Sequence, residues 1–286
     1  MKLLNIFTRA VCAFAGVCAV ASATFAATKP LDFPLGLAVD SKGNLYVANV
    51  SANDILIYSP GYEQMASKTI TSNINAPTAV AIDPQGNLWV ANYGSSNGGA
   101  NGSVAEYTDG VQNENNSITN GIVGPDAIAI DATGNIFVGS YHNINVYSPG
   151  YSFQPSITLL KTLTPASPVF GIAVGQGTFA YGSTGATNFA SEIQVLVNNS
   201  YCCFSDGALE GVALAIDAQG NVYMADSNGT VDINLTSAVI ASFVQLSFEP
   251  GGIAIDNARG RVDFSNYLNN SIAVYSTNGT LLKTIQ

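Results

Sequence analysis

Residues 77–92 read PTAVAIDPQGNLWVAN. A short apolar run comes first, then a turn of the form Asp-x-x-Gly-Asn, then a run rich in aromatic and β-branched residues. Short runs of this kind bounded by turn chemistry read as strands. The Asp83 carboxylate is suited to accept hydrogen bonds from the N–H groups of its own turn. Gly86 supplies a positive φ that other residues resist. The first run is apolar on successive residues, as a strand buried on both faces must be. The stretch therefore predicts a hairpin whose first strand lies inside the protein.

Working outward, the same pattern returns along the chain. PLGLAVDSKGNLYVAN occupies 34–49, PDAIAIDATGNIFVGS 125–140 and FGIAVGQGTFAYGS 170–183. VALAIDAQGNVYMAD occupies 212–226 and PGGIAIDNARGRVDFSN 250–266. The turn aspartate stands at Asp40, Asp83, Asp131, Asp217 and Asp256, and the decayed fourth copy has Gly175 there. A period of about 43 residues marks a repeat architecture. After each hairpin come two further strand signals, such as 55–58 and 68–71, or 272–275 and 281–285. Helical periodicity is absent after the first 26 residues. The expected fold is all-β, a six-bladed β-propeller with four antiparallel strands per blade. It would fill 27–286, with blades near 34–75, 76–123, 124–166, 167–208, 209–248 and 249–286. One four-stranded blade cannot cover its own apolar faces, whereas a ring of them can. The mode of ring closure is left to the structure, because no full strand is left over and the short 29–33 is the segment available to add to the edge of the last blade.

The first 26 residues have a different character. Lys2 and Arg9 precede an uncharged apolar core at 10–21, and small residues follow. This is the layout of a secretory signal peptide, with cleavage expected after Ala23 or Ala26. The core falls short of the roughly 20 residues that span a bilayer, and no later segment is long and apolar enough to do so. The expected location is therefore secreted or periplasmic, and the expected state is a monomer. Low cysteine use leans towards a bacterial source. Beyond the leader only the adjacent Cys202 and Cys203 remain. A bridge between neighbours is strained and staples no loop, so the core must hold the fold. The pair is two free thiols, a vicinal disulfide or an intermolecular link.

Composition removes several functions. Nine basic residues face nineteen acidic ones, for a net charge of −10. Nucleic-acid binding needs clustered Lys and Arg against phosphates, so DNA and RNA are excluded as partners. Charged residues make up only 10% of a chain that is 47% hydrophobic, which rules out a coiled coil or a disordered acidic tail.

The copies resemble the NHL repeat, with its Gly-x-Ala-Val/Ile-Asp strand, its Gly-Asn-Leu/Val-Tyr/Trp-Val-Ala-Asn/Asp strand and its following Ile-x-Val-Tyr strand. The resemblance runs over 34–286 and is weakest in the fourth copy. It implies a propeller, but members of such families range from binding scaffolds to lactonases, lyases and RNA-binding domains, and fold does not fix function. Similar amidating lyases hold zinc with several histidines, and this chain has only His142. Antibiotic-inactivating lyases of similar repeat type also rely on histidine. Gluconolactonase-like propellers bind a divalent cation through Glu, Asn and Asp at the central channel.

In a propeller, the loops entering the innermost strands and those after the second strands open on one face. The innermost strands begin at Leu35, Thr78, Asp126, Phe170, Val212 and Gly251. The second strands end at Asn49, Asn92, Ser140, Ser183, Asp226 and Asn266, followed by Tyr93, Tyr141, His142 and Tyr267. Loops 93–103 and 184–191 overhang the same rim. The Asn and Asp strand ends recur, which suits caps for loop N–H groups. The expected binding set on this face is Tyr93, Asp126, Tyr141, His142, Asp226 and Tyr267, serving a protein, peptide or glycan without catalysis, metal or cofactor. The alternative gathers Asp126, Glu210, Asp226 and Glu249 around Ca²⁺ or Mg²⁺, the hard cations that oxygen ligands suit, in a metal-dependent hydrolase or lactonase. His142 lacks an identifiable proton donor or orienting partner, and Trp89 reads as a blade-packing residue. No nucleophile elbow or phosphate loop is present.

Overall fold

The computed structural model describes residues 30–63, 65–94, 99–140, 143–148, 157–165, 169–183, 192–197, 200–204, 211–234 and 240–286. The predicted signal peptide and its cleavage site lie outside the described residues. The chain is an all-β propeller of four-stranded antiparallel blades. The first sheet holds β1 (Pro34–Val39), β2 (Leu45–Asn49), β3 (Asp54–Tyr58) and β4 (Lys68–Ile70). The second holds β5 (Pro77–Ile82), β6 (Leu88–Asn92), β7 (Ser103–Thr108) and β8 (Val111–Ile118). The third holds β9 (Pro125–Ile130), β10 (Ile136–Ser140), β11 (Ile144–Tyr147) and β12 (Leu159–Leu163). The fourth holds β13 (Val169–Gly175), β14 (Thr178–Ser183), β15 (Glu192–Val197) and β16 (Ser200–Phe204), the last two described by backbone pairing only. The fifth holds β17 (Gly211–Ile216), β18 (Val222–Asp226), β19 (Thr230–Asn234) and β20 (Ile240–Gln245). The sixth holds β21 (Gly252–Asp256), β22 (Arg261–Asn266), β23 (Ser271–Ser276) and β24 (Leu281–Ile285). Cys202 and Cys203 fall in β16, and their side chains lie outside the described residues.

The core is divided among the gaps between neighbouring sheets. In β2, Leu45 and Val47 face the last blade, whereas Tyr46 and Ala48 face the second. In β10, Ile136 and Val138 face the second blade and Phe137 faces the fourth. Period-two alternation therefore feeds both neighbours, which is why these strands read as apolar on both faces.

The Asp-x-x-Gly-Asn turns are capped as their chemistry suggests. Asp83 Oδ1 accepts from Gln85 N at 2.9 Å and Asn87 N at 2.8 Å. Its Oδ2 accepts from Asn87 Nδ2 at 3.0 Å and Trp89 Nε1 at 3.1 Å. Asp40 repeats this with Asn44 and the Tyr46 hydroxyl. The fourth copy replaces the turn with a tight hairpin. Gly175 pairs with Thr178, and Gln176 and Gly177 between them take φ of 50° and 76°, the left-handed pair that a two-residue hairpin needs.

The ring closes without a shared blade. Inner strand β1 lies against β21, and residues 30–33 do not extend the last sheet. They fold onto their own blade, where Val50 N donates to Phe33 O and Ser51 N to Asp32 O, both at 3.2 Å. The seam is bonded by Ser265 Oγ donating to Leu35 O at 2.7 Å and Arg261 to Pro60 O at 2.9 Å. Lys283 Nζ donates to Tyr62 O at 2.6 Å and also to Gly61 O.

Candidate functional site

The six inner strands meet around a channel, and their first residues line a cavity of about 70 Å³ at its mouth. Thr78, Asp126, Phe170 and Gly251 stand at the rim, and Val80, Ile128, Ile172, Leu214 and Ile253 form a buried apolar lining below them. Glycines let the strands come this close. A Cβ on Gly36 would lie 2.5 Å from Ala79 Cα, and one on Gly252 would lie 2.5 Å from Leu35 O. The Thr78 hydroxyl donates to Pro125 O at 2.6 Å, tying the second blade to the third beside the opening.

Among the described residues, Asp126 is the only charged one lining this cavity. Burial pushes its carboxyl up from 3.8 to about 6, since a half-buried charge loses hydration. Among the described residues, no donor or cation contacts that carboxylate. The turn aspartates differ, because each accepts several hydrogen bonds. Those around Asp131 hold its carboxyl below the usual value although burial opposes them.

The other predicted residues are distributed around the same face. Tyr93 is half-buried, its ring lies against Gly124, and its N–H donates to Ala76 O at 2.9 Å. Tyr267 is half-buried beside Phe33, with ring centroids 4.9 Å apart. Burial and the facing Glu249 carboxylate push the Tyr267 hydroxyl up to about 12. Asp226 is committed to its own loop, accepting from Asn228 N at 2.8 Å and Thr230 N at 2.9 Å. Tyr141, His142 and Glu210 lie outside the described residues, as do 95–98 and 184–191 of the two overhanging loops. Among the described residues, no group of three or more His, Cys, Asp or Glu is placed to share a metal. Of the acids in the alternative cation set, Asp126 faces the channel, Asp226 caps a turn and Glu249 faces Tyr267.

The strand-end amides cap loops in the expected way. Asn49 Oδ1 accepts from Asp32 N at 2.6 Å, Asn92 Oδ1 from Asn75 N at 3.0 Å and Asn266 Oδ1 from Asn269 N at 3.1 Å. Trp89 is buried, in agreement with a packing role.

Sequence reasoning placed Phe170 at the channel mouth but missed the apolar residues in the loops of the same face. Phe33 is 36% exposed, Val123 59% and Leu268 66%, and Phe170 at the channel mouth is 38% exposed. Phe33 precedes β1, Val123 precedes β9 and Leu268 follows β22, so all three sit in loops on the channel-mouth side. An apolar residue inside a loop was the available signal.

No protein-family model matches the chain, and no curated protein matches it by sequence. Solved structures do match in fold. Hydrazine synthase of Kuenenia stuttgartiensis superposes with a TM-score of 0.61 at 12% identity, over 89% of this chain and 98% of that one. Virginiamycin B lyase of Staphylococcus aureus gives 0.58 at 16% identity, over 88% and 83%. A streptogramin B lyase gives 0.58 at 15% identity, over 90% and 84%. At such identities the likeness concerns the fold, and by that measure the chain is a β-propeller similar to the propellers of these enzymes.

Proposed function

We propose that this chain is an exported, non-catalytic six-bladed propeller of NHL type that captures a protein or peptide on its channel-mouth face. One observation carries the reading. Phe170 is exposed beside the Asp126 carboxylate, which has no donor or cation partner among the described residues, and Phe33, Val123 and Leu268 are exposed in loops on the same face. Exposed apolar residues also stand on the opposite side, at Met65, Val111, Leu159, Leu160, Leu281 and Leu282, and by themselves need no explanation. On this face, however, they accompany a cavity holding the half-buried Asp126, which offers a partner both apolar surface and a polar anchor. The flexible partner of such a surface gains affinity by burying apolar side chains there and specificity from the few polar groups at the centre.

The test is a peptide-display selection on the exported chain. Selected peptides should bind the wild type and lose at least tenfold in affinity to Leu268→Glu and Val123→Glu. They should bind Met65→Glu normally, because Met65 is exposed in the β3–β4 loop on the opposite face. Failure to select any peptide, or equal loss from all three variants, overturns the reading. A thermal shift with Ca²⁺ or Mg²⁺ that Asp126→Ala abolishes would instead support the metal-dependent hydrolase. A native-state ligand at a hundred times its Kd stabilises by about 2.7 kcal/mol.

A further inference from the structure

We infer that the channel mouth is a receptor for one primary ammonium or guanidinium group, presented on a narrow aliphatic stem such as a lysine or arginine side chain of the ligand. The inference rests on the binding role proposed for this face and names what is read at its centre.

The first argument is singularity. Residues that serve the fold recur from blade to blade, as the turn aspartates and strand-end asparagines do. At the leading position of the inner strands, Asp126 stands where the others have Leu35, Thr78, Phe170, Val212 and Gly251. Nothing in the repeat requires an acid there.

The second argument is the missing partner. The Asp126 carboxylate faces the cavity, and among the described residues it has neither a hydrogen-bond donor nor a cation beside it. A half-buried carboxylate with no partner among the described residues loses hydration without compensation, and a cation from outside would relieve that cost. With a pKa of about 6, the group is mostly ionised at neutral pH and ready to accept such a cation.

The third argument is size and lining. An apolar cavity of about 150 Å³ admits benzene. The mouth measures about 70 Å³, about half that, and suits a thin chain better than a ring system. Phe170 and the buried Ile128 and Ile172 supply apolar contact for methylene groups next to the carboxylate. The chain's strong negative charge assists any cation in approaching.

The probe is n-butylammonium, with 1-butanol as its uncharged analogue, titrated at pH 7.5 into ¹⁵N-labelled exported chain. Butylammonium should give saturable shifts at the Gly36, Thr78, Asp126 and Gly251 amides, and butanol should not. Asp126→Asn, which keeps shape and removes charge, should weaken binding roughly tenfold or more. Equal responses to both probes, shifts remote from the channel, or unchanged binding by Asp126→Asn would overturn the inference. The two readings separate cleanly. If selected peptides lack Lys and Arg and bind Asp126→Asn normally, the docking face stands and the cation receptor falls. If butylammonium binds through Asp126 but no peptide is selected, the receptor stands and the docking face falls.

Discussion

Replacing Asp263 by Asn should make the propeller's stability far less sensitive to pH. Asp263 lies in β22 and is fully buried at the seam between the last and first blades. Among the described residues, neither carboxylate oxygen has a hydrogen-bond partner, nor does the nearby Tyr62 hydroxyl. The hydroxyl faces the carboxyl and favours its charge, though the pair falls short of hydrogen-bond geometry. Arg261 and Lys283 sit over the Tyr62 ring at 4.9 and 5.6 Å and also favour the charge. Burial outweighs them, with a smaller push from Asp256, and the carboxyl rises from 3.8 to about 7.

A carboxyl raised in the native state binds its proton there while the unfolded chain has already lost it. Its contribution to stability is complete below about pH 3.8 and is lost as pH rises to about 7. At about 1.4 kcal/mol per pH unit, that interval amounts to about 4 kcal/mol. Asparagine has no such dependence. The stability of Asp263→Asn relative to wild type should therefore climb by up to about 4 kcal/mol between pH 4 and pH 8. For a chain of this length, about 2–4 °C accompanies each kcal/mol, so the Tm difference should change by about 8–16 °C. Thermal melts of both proteins at several pH values, in buffers of matched ionic strength, measure this directly. A Tm difference that stays constant from pH 4 to pH 8 would refute the account of Asp263 as a buried, unpaired acid.

Two further outcomes follow from the turns and the channel. Asp83→Ala strands four donors, the Trp89 indole among them, and should cost about 2–3 kcal/mol. Trp89 is the only tryptophan, so its emission should shift to the red, and an unchanged spectrum would count against the cap. Gly36→Ala should cost about 1–3 kcal/mol by driving a Cβ into the backbone of the second blade. Gly86→Ala meets no neighbour within 4 Å and has only its φ of +88° to resist the substitution, for about 1–2 kcal/mol. Urea titrations that reverse this order would show that the strands near the axis separate more easily than their contacts suggest.

Much of the fold was legible because each blade states it again. The turn aspartate, the glycine with positive φ and the doubly apolar strand are local features, and a fold built from local features shows in the chain. The strand-end asparagines were readable as caps for the same reason. The sixth copy shows the limit. At the position of Tyr46, Trp89, Phe137 and Tyr223 it has Asp263, and reading along the copy gives no account of it. The aromatic ring that fills that space is Tyr62, supplied by the first blade about 200 residues earlier.

The site divides in the same way. Repetition along the sequence determined that the chain is all-β, that its blades have four strands, and, to within one residue, where the inner strands begin. It also showed Asp126 to be an exception among them. Only the tertiary structure decided that Asp126 stands in a narrow cavity without a partner among the described residues, that Asp226 is consumed by its own turn, and that Glu249 faces Tyr267. Only there do Phe33, Val123, Phe170 and Leu268 come onto one exposed face. The physical reason is range. Turn and strand chemistry acts between residues a few positions apart, whereas desolvation and the company of a charge depend on every blade that closes around it.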